Sequence, residues 1–218
     1  TLKKIKDSGA ATMGVRESSG GLSFTVGDGK FAGFHVELCQ RALADVQKQL
    51  GMAKLDIKYQ PVTSQNRIPL VQNGTVDIEC GSTTNNAARQ KDVAFAVTTY
   101  MEEVRIAVKA DSGIASIKDL AGNIAKAKNP ADFRIVGEVL AVEPIAIMLR
   151  KDDPAFKKAV DDSLKALIRS GEMAKIYDKW FMQPIPPANK PIGLPASEAT
   201  KAAWANPNDK PAEDYAKK

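Results

Sequence analysis

Three polar clusters in the chain share one position, because each directly follows a predicted strand. Arg16-Glu-Ser-Ser follows the first strand, Ser64-Gln-Asn-Arg67 follows the second, and a longer polar run ending at Arg89 follows the third. In an open α/β sheet the carboxyl ends of parallel strands border one crevice, so these side chains are expected to converge. The candidate ligand-binding residues are Arg16, Ser64, Arg67, Ser82, Thr84 and Arg89.

Three arginines in one crevice indicate an anion with more than one charged group. A guanidinium binds a carboxylate through two parallel hydrogen bonds, and its charge is permanent. Ser and Thr hydroxyls and helix N-termini supply further donors to an anion. The pattern therefore predicts a small dicarboxylate as the ligand. The alternative is that each Arg is an ordinary surface residue, which explains a single Arg well but explains three successive clusters less well.

The elements that must position these residues alternate between strand and helix. Such alternation predicts an α/β fold with a mostly parallel sheet flanked by helices. Strands are expected at residues 11–15, 55–60, 76–80, 94–97 and 104–109, and helices at 35–50, 64–72 and 87–92. Gly27-Asp28-Gly29 predicts a hairpin turn between residues 22–26 and 30–34.

The second half of the chain begins with a poorly patterned region. Residues 110–142 offer one short helix candidate, 117–121, and one strand candidate, 133–136, which is too little for a separate core. A strand is expected at 145–149. Asp153 and Pro154 then provide an N-cap and a first-position Pro for a helix that Gly171 ends. A second helix carries Met173 to Phe181, and the Pro-rich tail has a weak helix at 197–204.

Composition argues against several classes of function. The chain has 218 residues, 44% of them hydrophobic, with a net charge of +5 spread along its length, so no nucleic-acid surface is expected. No apolar run is long enough to span a bilayer. The chain opens with Thr1-Leu-Lys-Lys rather than a signal peptide, so an exported protein would be present here in its mature form.

The chain offers little for catalysis, metal binding or a cofactor. His35, the one histidine, is expected to be packed or at the surface, and Cys and His are too few for a zinc site. The run from Ser18 lacks the lysine and spacing of a phosphate-binding loop. Cys39 and Cys80 leave the compartment open, with a buried free thiol as the commoner outcome for each. We expect no enzyme, no metal and no cofactor.

Several longer stretches resemble a known family. They are residues 14–18, 62–74, 79–86, 89–91, 148–154 and 179–187. They are similar to the periplasmic glutamate/aspartate-binding proteins of ABC transporters, which are type II periplasmic binding proteins of solute-binding family 3. The resemblance implies a periplasmic protein that passes L-glutamate or L-aspartate to a membrane permease. It also implies roles for the candidate residues: Arg89 and Thr84 for the α-carboxylate, Ser82 for the ammonium, and Arg16, Ser64 and Arg67 for the side-chain carboxylate.

The chain departs from that family where a complete second lobe should lie. The resemblance implies that residues 1–104 and 150–218 form the first lobe, and that 105–149 are hinge strands with a remnant of the second. Residues 116–122 run straight into 123–130, although several strand–helix units separate these stretches in the family. The missing part includes the Asp that receives the ammonium and a His near the side-chain carboxylate. A natural deletion, an engineered one and a segment absent from this sequence all remain open.

Three hypotheses of function follow. The first is a receptor lobe for acidic amino acids that feeds an ABC transporter. The second is a truncated scaffold with little ligand affinity, which associates through its hinge strands into a homodimer. The third is an enzyme on the same scaffold, such as a dehydratase, for which Glu17 is the general acid nearest the crevice.

Overall fold

The computed structural model describes residues 1–115 and 133–215, with the backbone alone described for 133–139. Its helices are α1 (Leu2–Ser8), α2 (Phe34–Gln49), α3 (Arg67–Gln72), α4 (Pro154–Arg169), α5 (Glu172–Phe181) and α6 (Glu198–Ala205). Its strands are β1 (Ala10–Val15), β2 (Ser18–Ser19), β3 (Ser23–Gly27), β4 (Lys30–Ala32), β5 (Asp56–Pro61), β6 (Ile78–Glu79), β7 (Val93–Phe95), β8 (Tyr100–Lys109), β9 (Phe133–Ile145) and β10 (Met148–Arg150).

A five-stranded sheet in the order β5-β1-β6-β10-β7 forms the centre of the molecule. The strands β5, β1 and β6 run parallel, and β10 runs antiparallel to both of its neighbours. The predicted α/β class is therefore confirmed, with a mixed sheet. Because β1, β5 and β6 are parallel, the chain segments that follow them leave the sheet at the same edge.

The sheet buries apolar side chains on both faces. Successive residues of a strand point to opposite faces, and in β10 Met148 packs with one core while Leu149 packs with the other. The larger core lies under α2, α4 and α5, and includes Met13 of β1. The smaller core lies against α3, with Val71 fully buried. Helices on both faces therefore hold the strand ends in fixed positions.

Several local predictions are confirmed by specific contacts. The Asp153 side chain accepts a hydrogen bond from Phe156 N and Pro154 opens α4, as the sequence predicts. The hairpin turns at Gly27-Asp28-Gly29, where all three residues adopt positive φ. The helix predicted at 87–92 is wrong in extent: only the single 3₁₀ turn Arg89–Lys91 forms, because β7 begins two residues later.

The two cysteines form a disulfide, so the expectation of free thiols is wrong. Cys39 lies in α2 and Cys80 directly after β6, and both are fully buried. They are 41 residues apart in sequence, but packing of α2 on the sheet brings their Cα atoms to 6.3 Å. Disulfides persist in oxidising compartments, which agrees with a location outside the cytoplasm.

Two long strands leave the central sheet as a separate ribbon, defined here as β8 with β9. Their antiparallel register places Glu102 opposite Glu143 and is interrupted between Val104 and Ile106. The strand predicted at 133–136 extends to Ile145. The strand predicted at 145–149 is divided, because the chain bends at residues 146–147 before β10 enters the central sheet. The helix candidate at 117–121 lies outside the described residues.

Candidate functional site

The three predicted polar clusters leave the central sheet at the same edge. Val62 N donates to Val15 O and Cys80 N donates to Gly14 O, both at 2.8 Å, so the parallel pairing continues to the strand ends. The segments that carry Arg16, Ser64 and Ser82 begin at this edge. The topology therefore brings the clusters to a common side of the sheet, as the sequence predicts.

Arg67 is the most buried of the three arginines. It opens α3, and only 5% of its surface is exposed. Burial lowers the pKa of Arg67, Glu79 opposes that effect, and the charges of Arg89 and Arg16 lower the pKa further. Arg67 is therefore close enough to both Arg89 and Arg16 to be repelled by their charges. Among the described residues Arg67 Nε has no hydrogen-bond partner, although it is buried.

Glu79 of β6 is a buried carboxylate close to Arg67 and Arg16. Thr83 Oγ1 donates to Glu79 Oε2 at 2.7 Å. Burial raises the pKa of Glu79, whereas Arg67, the Thr83 hydrogen bond, Arg16 and the nearby Gly81 amide lower it. Oε1 lies close to the Gly81 backbone but makes no hydrogen bond of normal geometry. Glu79 was not predicted from the sequence as part of the site. The available signal was a charged residue within an otherwise buried strand.

Arg16 borders a small cavity of about 250 Å³ that is also lined by Ser64. Arg16 Nη1 donates to Val62 O at 3.1 Å, and Nε donates to Ser19 Oγ at 3.4 Å. The Ser64 side chain makes no hydrogen bond within the described residues and is exposed at the cavity rim. This part of the site is open to water and has room for a small polar group.

Gly81 keeps this region compact. A Cβ atom at residue 81 would lie 2.3 Å from Glu79 Oε1 and 2.6 Å from Arg16 Cγ. Neither separation is possible for real atoms, so a side chain here must displace one of the two charged residues. The close approach of Arg16 to Glu79 therefore depends on glycine at this position.

The third cluster is held by a set of short polar contacts. Ser82 Oγ lies 2.9 Å from Ser19 Oγ. Arg89 Nη1 donates to the Thr84 carbonyl at 2.8 Å, and Asn86 Oδ1 accepts from Arg89 N at 2.8 Å. The Asn86 contact therefore helps to hold Arg89 beside Thr84.

Glu143 of the ribbon also contacts Thr84. Thr84 Oγ1 donates to Glu143 Oε2 at 2.7 Å. The sequence gave no indication of this contact, because Thr84 and Glu143 are 59 positions apart. The pairing depends on how β9 returns to the central sheet.

His35 has a structural role in the described part of the chain. It is fully buried, with Nδ1 2.5 Å from Gly81 O and Nε2 2.7 Å from Thr99 Oγ1. Burial lowers the pKa of His35 to about 4, although the Gly81 hydrogen bond opposes the shift. His35 is therefore packed, which is one of the two outcomes that the sequence left open. His35 also fixes the backbone next to Ser82.

The described residues also bear on two other kinds of site. No group of His, Cys, Asp and Glu among them could hold a metal ion. None of their helices combines the length and apolar character needed to cross a membrane. A larger cavity of about 640 Å³ lies between β8 and residues 194–197, and none of the six predicted site residues lines it.

Known proteins are similar to this chain along most of its length. A family model described as bacterial extracellular solute-binding proteins, family 3, matches residues 11–183. The L-glutamate/L-aspartate-binding protein of Pseudomonas aeruginosa is 37% identical over 272 residues, covering 98% of this chain and 90% of that protein. The glutamate/aspartate import solute-binding protein of Escherichia coli K12 is 36% identical over 268 residues, covering 96% and 89%.

The alignment with the Pseudomonas protein reveals a difference in length. It spans 272 residues, and the chain has 218, so at least 54 alignment positions have no residue here. Among solved structures, the P235GK mutant of ArgBP from T. maritima matches with a TM-score of 0.67 and 21% identity. That match covers 84% of this chain and 99% of the other, and it supports the fold alone.

Proposed function

Since the chain belongs to the bacterial extracellular solute-binding proteins of family 3, we propose that it binds L-glutamate or L-aspartate outside the cytoplasm and delivers it to an ABC transporter permease. The names of the two bacterial relatives support this ligand class. The buried disulfide supports the compartment.

The observation that carries the proposal is Arg67, which is buried and whose Nε has no hydrogen-bond partner among the described residues. A buried donor without a partner costs about 1–3 kcal/mol, and more when it is charged. A carboxylate that accepts from Arg67 removes this cost and also screens the repulsion from Arg16 and Arg89. The crevice is therefore suited to an anion that reaches below the surface.

The six predicted residues divide into two groups with different tasks. Arg16, Ser64 and Arg67 are proposed to hold the side-chain carboxylate, because the cavity beside Arg16 and Ser64 has room for it. Arg89 is proposed to hold the α-carboxylate together with Thr84, which already accepts from that guanidinium. Ser82 is proposed as a partner of the ammonium.

Isothermal titration with four ligands tests this assignment. L-Glutamate and L-aspartate should bind more tightly than L-glutamine and L-asparagine, since a neutral amide leaves Arg67 without its anion. Equal or tighter binding of L-glutamine, measured side by side, would contradict the proposal.

We propose the same division of the chain as the sequence suggested. Residues 1–104 and 150–218 form the ligand-binding lobe, and 105–149 form hinge strands with a remnant of a second lobe. The shortfall of at least 54 positions relative to the Pseudomonas protein supports this division. A crevice without an opposing wall leaves the ligand wet, and charges interact less strongly in water. We therefore expect weaker binding than in a two-lobed relative.

Self-association is a second candidate function, favoured by the ribbon. In the described residues β8 and β9 pair with each other and with no third strand. Open strand edges are templates for pairing with another chain. A homodimer that joins two ribbons would cover these edges. Light scattering would detect the dimer, and a monomer at all protein concentrations would contradict it.

We propose that the chain binds its ligand and does not catalyse a reaction, because its two relatives are named as binding proteins. The catalytic alternative assigns Glu17 as a general acid. Glu17 is exposed, so its environment offers little of the burial that tunes a catalytic carboxyl. Incubation with candidate substrates, followed by product analysis, distinguishes the two.

A further inference from the structure

Thr84 lies between a cationic and an anionic side chain. Its carbonyl accepts from Arg89 Nη1 at 2.8 Å, and its hydroxyl donates to Glu143 Oε2 at 2.7 Å. One residue thus positions a guanidinium and a carboxylate next to each other. An α-amino acid presents the opposite pair, a carboxylate and an ammonium bonded to the same carbon.

The backbone holds Glu143 in this position. Asn85 N donates to Pro144 O at 2.8 Å, and Ala146 N donates to Thr83 O at 3.3 Å. An isolated antiparallel bridge also joins Thr84 to Ile145. These contacts attach the end of β9 to the loop that carries Thr84. Glu143 is therefore fixed relative to Arg89 and is not a freely moving surface carboxylate.

Among the described residues, Glu143 forms no ion pair. Glu102 lies directly across the ribbon, and like charges in that arrangement are destabilising. Reduced hydration raises the pKa of Glu102, a hydrogen bond from Tyr100 lowers it, and the charges of Glu143 and Glu103 raise it. On β8 the described ion pair is Glu103 with Arg105, and neither Glu102 nor Glu143 has an ion-pair partner among the described residues.

A separate observation indicates that the same crevice holds a ligand. Arg67 is 5% exposed, and its Nε has no hydrogen-bond partner among the described residues, so it can donate to a ligand anion. A ligand with its carboxylates on the arginines brings its ammonium towards the carboxylate that accepts from Thr84. We propose that Glu143 receives the α-ammonium of the bound amino acid, an inference that rests on the proposed function.

The test compares L-glutamate with glutarate, which keeps both carboxylates and lacks the ammonium. Titrations use the full chain, the Glu143→Gln variant and the Glu103→Gln variant. Glu103 is next to Glu102 on β8, so its side chain points to the other face of the ribbon, and it pairs with Arg105. It therefore serves as the matched control for loss of one negative charge.

The unmodified protein should bind L-glutamate at least tenfold more tightly than glutarate. Glu143→Gln should weaken L-glutamate by about tenfold or more, as expected for loss of a charged hydrogen bond, and leave glutarate unchanged or slightly tighter. Glu103→Gln should leave the ratio of the two affinities unchanged.

Three outcomes overturn the inference. Equal weakening of both ligands in Glu143→Gln means that Glu143 acts through Thr84 and not on the ammonium. Equal affinity of the unmodified protein for the two ligands excludes an ammonium partner, and this comparison holds even if the variant fails to fold. Binding of neither ligand by the unmodified protein refutes the proposed function and the inference together, whereas the first two outcomes leave the proposed function standing.

Discussion

Replacing Arg67 with Met tests the central electrostatic argument. Methionine keeps much of the length of the side chain and removes its charge. Arg67 is 5% exposed, so its own side chain is largely shielded from water. Loss of a hydrogen bond to a charged group costs about 1.5–3 kcal/mol, which corresponds to roughly 10- to 150-fold in Kd for L-glutamate.

The same substitution should change the stability of the ligand-free protein. Arg67 is the strongest of the groups that lower the pKa of Glu79, so its loss leaves Glu79 with less compensation. Loss of this compensation and removal of the unpartnered Arg67 donor act in opposite directions on the free energy of unfolding at neutral pH, so the diagnostic quantity is how that free energy changes with pH. The pKa of Glu79 is already raised in the folded state and rises further in the variant. Charged Glu79 therefore destabilises the folded variant, and this destabilisation is lost as the pH falls and Glu79 becomes protonated.

Calorimetry and urea unfolding at two pH values measure both effects. Arg150→Met is the matched control, because Arg150 is an exposed arginine at the end of β10. The control should keep the affinity of the unmodified protein. An Arg67→Met variant that binds L-glutamate as tightly as the control would refute the assignment of Arg67 to the ligand.

Three other predictions concern stability and geometry. Because burial lowers the pKa of His35 to about 4, the free energy of unfolding should fall by roughly 3 kcal/mol as the pH falls from 6.5 to about 4. In the His35→Gln variant, the free energy measured by urea unfolding should depend less steeply on pH. The Cys39–Cys80 disulfide joins residues that are 41 positions apart, and its reduction should lower the free energy of unfolding by about 2–4 kcal/mol. A variant with Ala at both positions should show no change in stability when reductant is added. Gly81→Ala should displace Arg16 and weaken L-glutamate binding measured by calorimetry, and unchanged affinity would contradict the crowding at that position.

The sequence predicts the part of the site that strand order determines. Arg16 and Ser64 follow strands that run parallel and adjacent, and such strands end at the same edge whatever the details of packing. Local chemistry likewise predicts the capping role of Asp153, because its contact with Phe156 lies within three residues. These features require no knowledge of distant contacts.

The features that could not be predicted depend on contacts between distant segments. Glu143 meets Thr84 across 59 positions, and Cys39 meets Cys80 across 41. Glu79 looks like any polar residue in a strand until the sheet buries it completely. The helix α1 was missed because Leu2–Ser8 is short and polar, with Ile5 as its one buried residue. In each case packing, and not local propensity, determines the outcome.

The positions of the charges, and not only the net charge, explain why an acidic amino acid fits this crevice. The cations lie at the end of the central sheet, and the carboxylates of Glu102 and Glu143 lie on the ribbon. In the proposed assignment a zwitterion aligns with that separation, and a second carboxylate extends towards Arg16 and Arg67. Glutamine aligns equally well at its α-carbon but leaves the buried guanidinium unpaired. Salt screens buried charges less than exposed ones, so the preference for glutamate over glutamine should persist at high ionic strength even where both affinities fall.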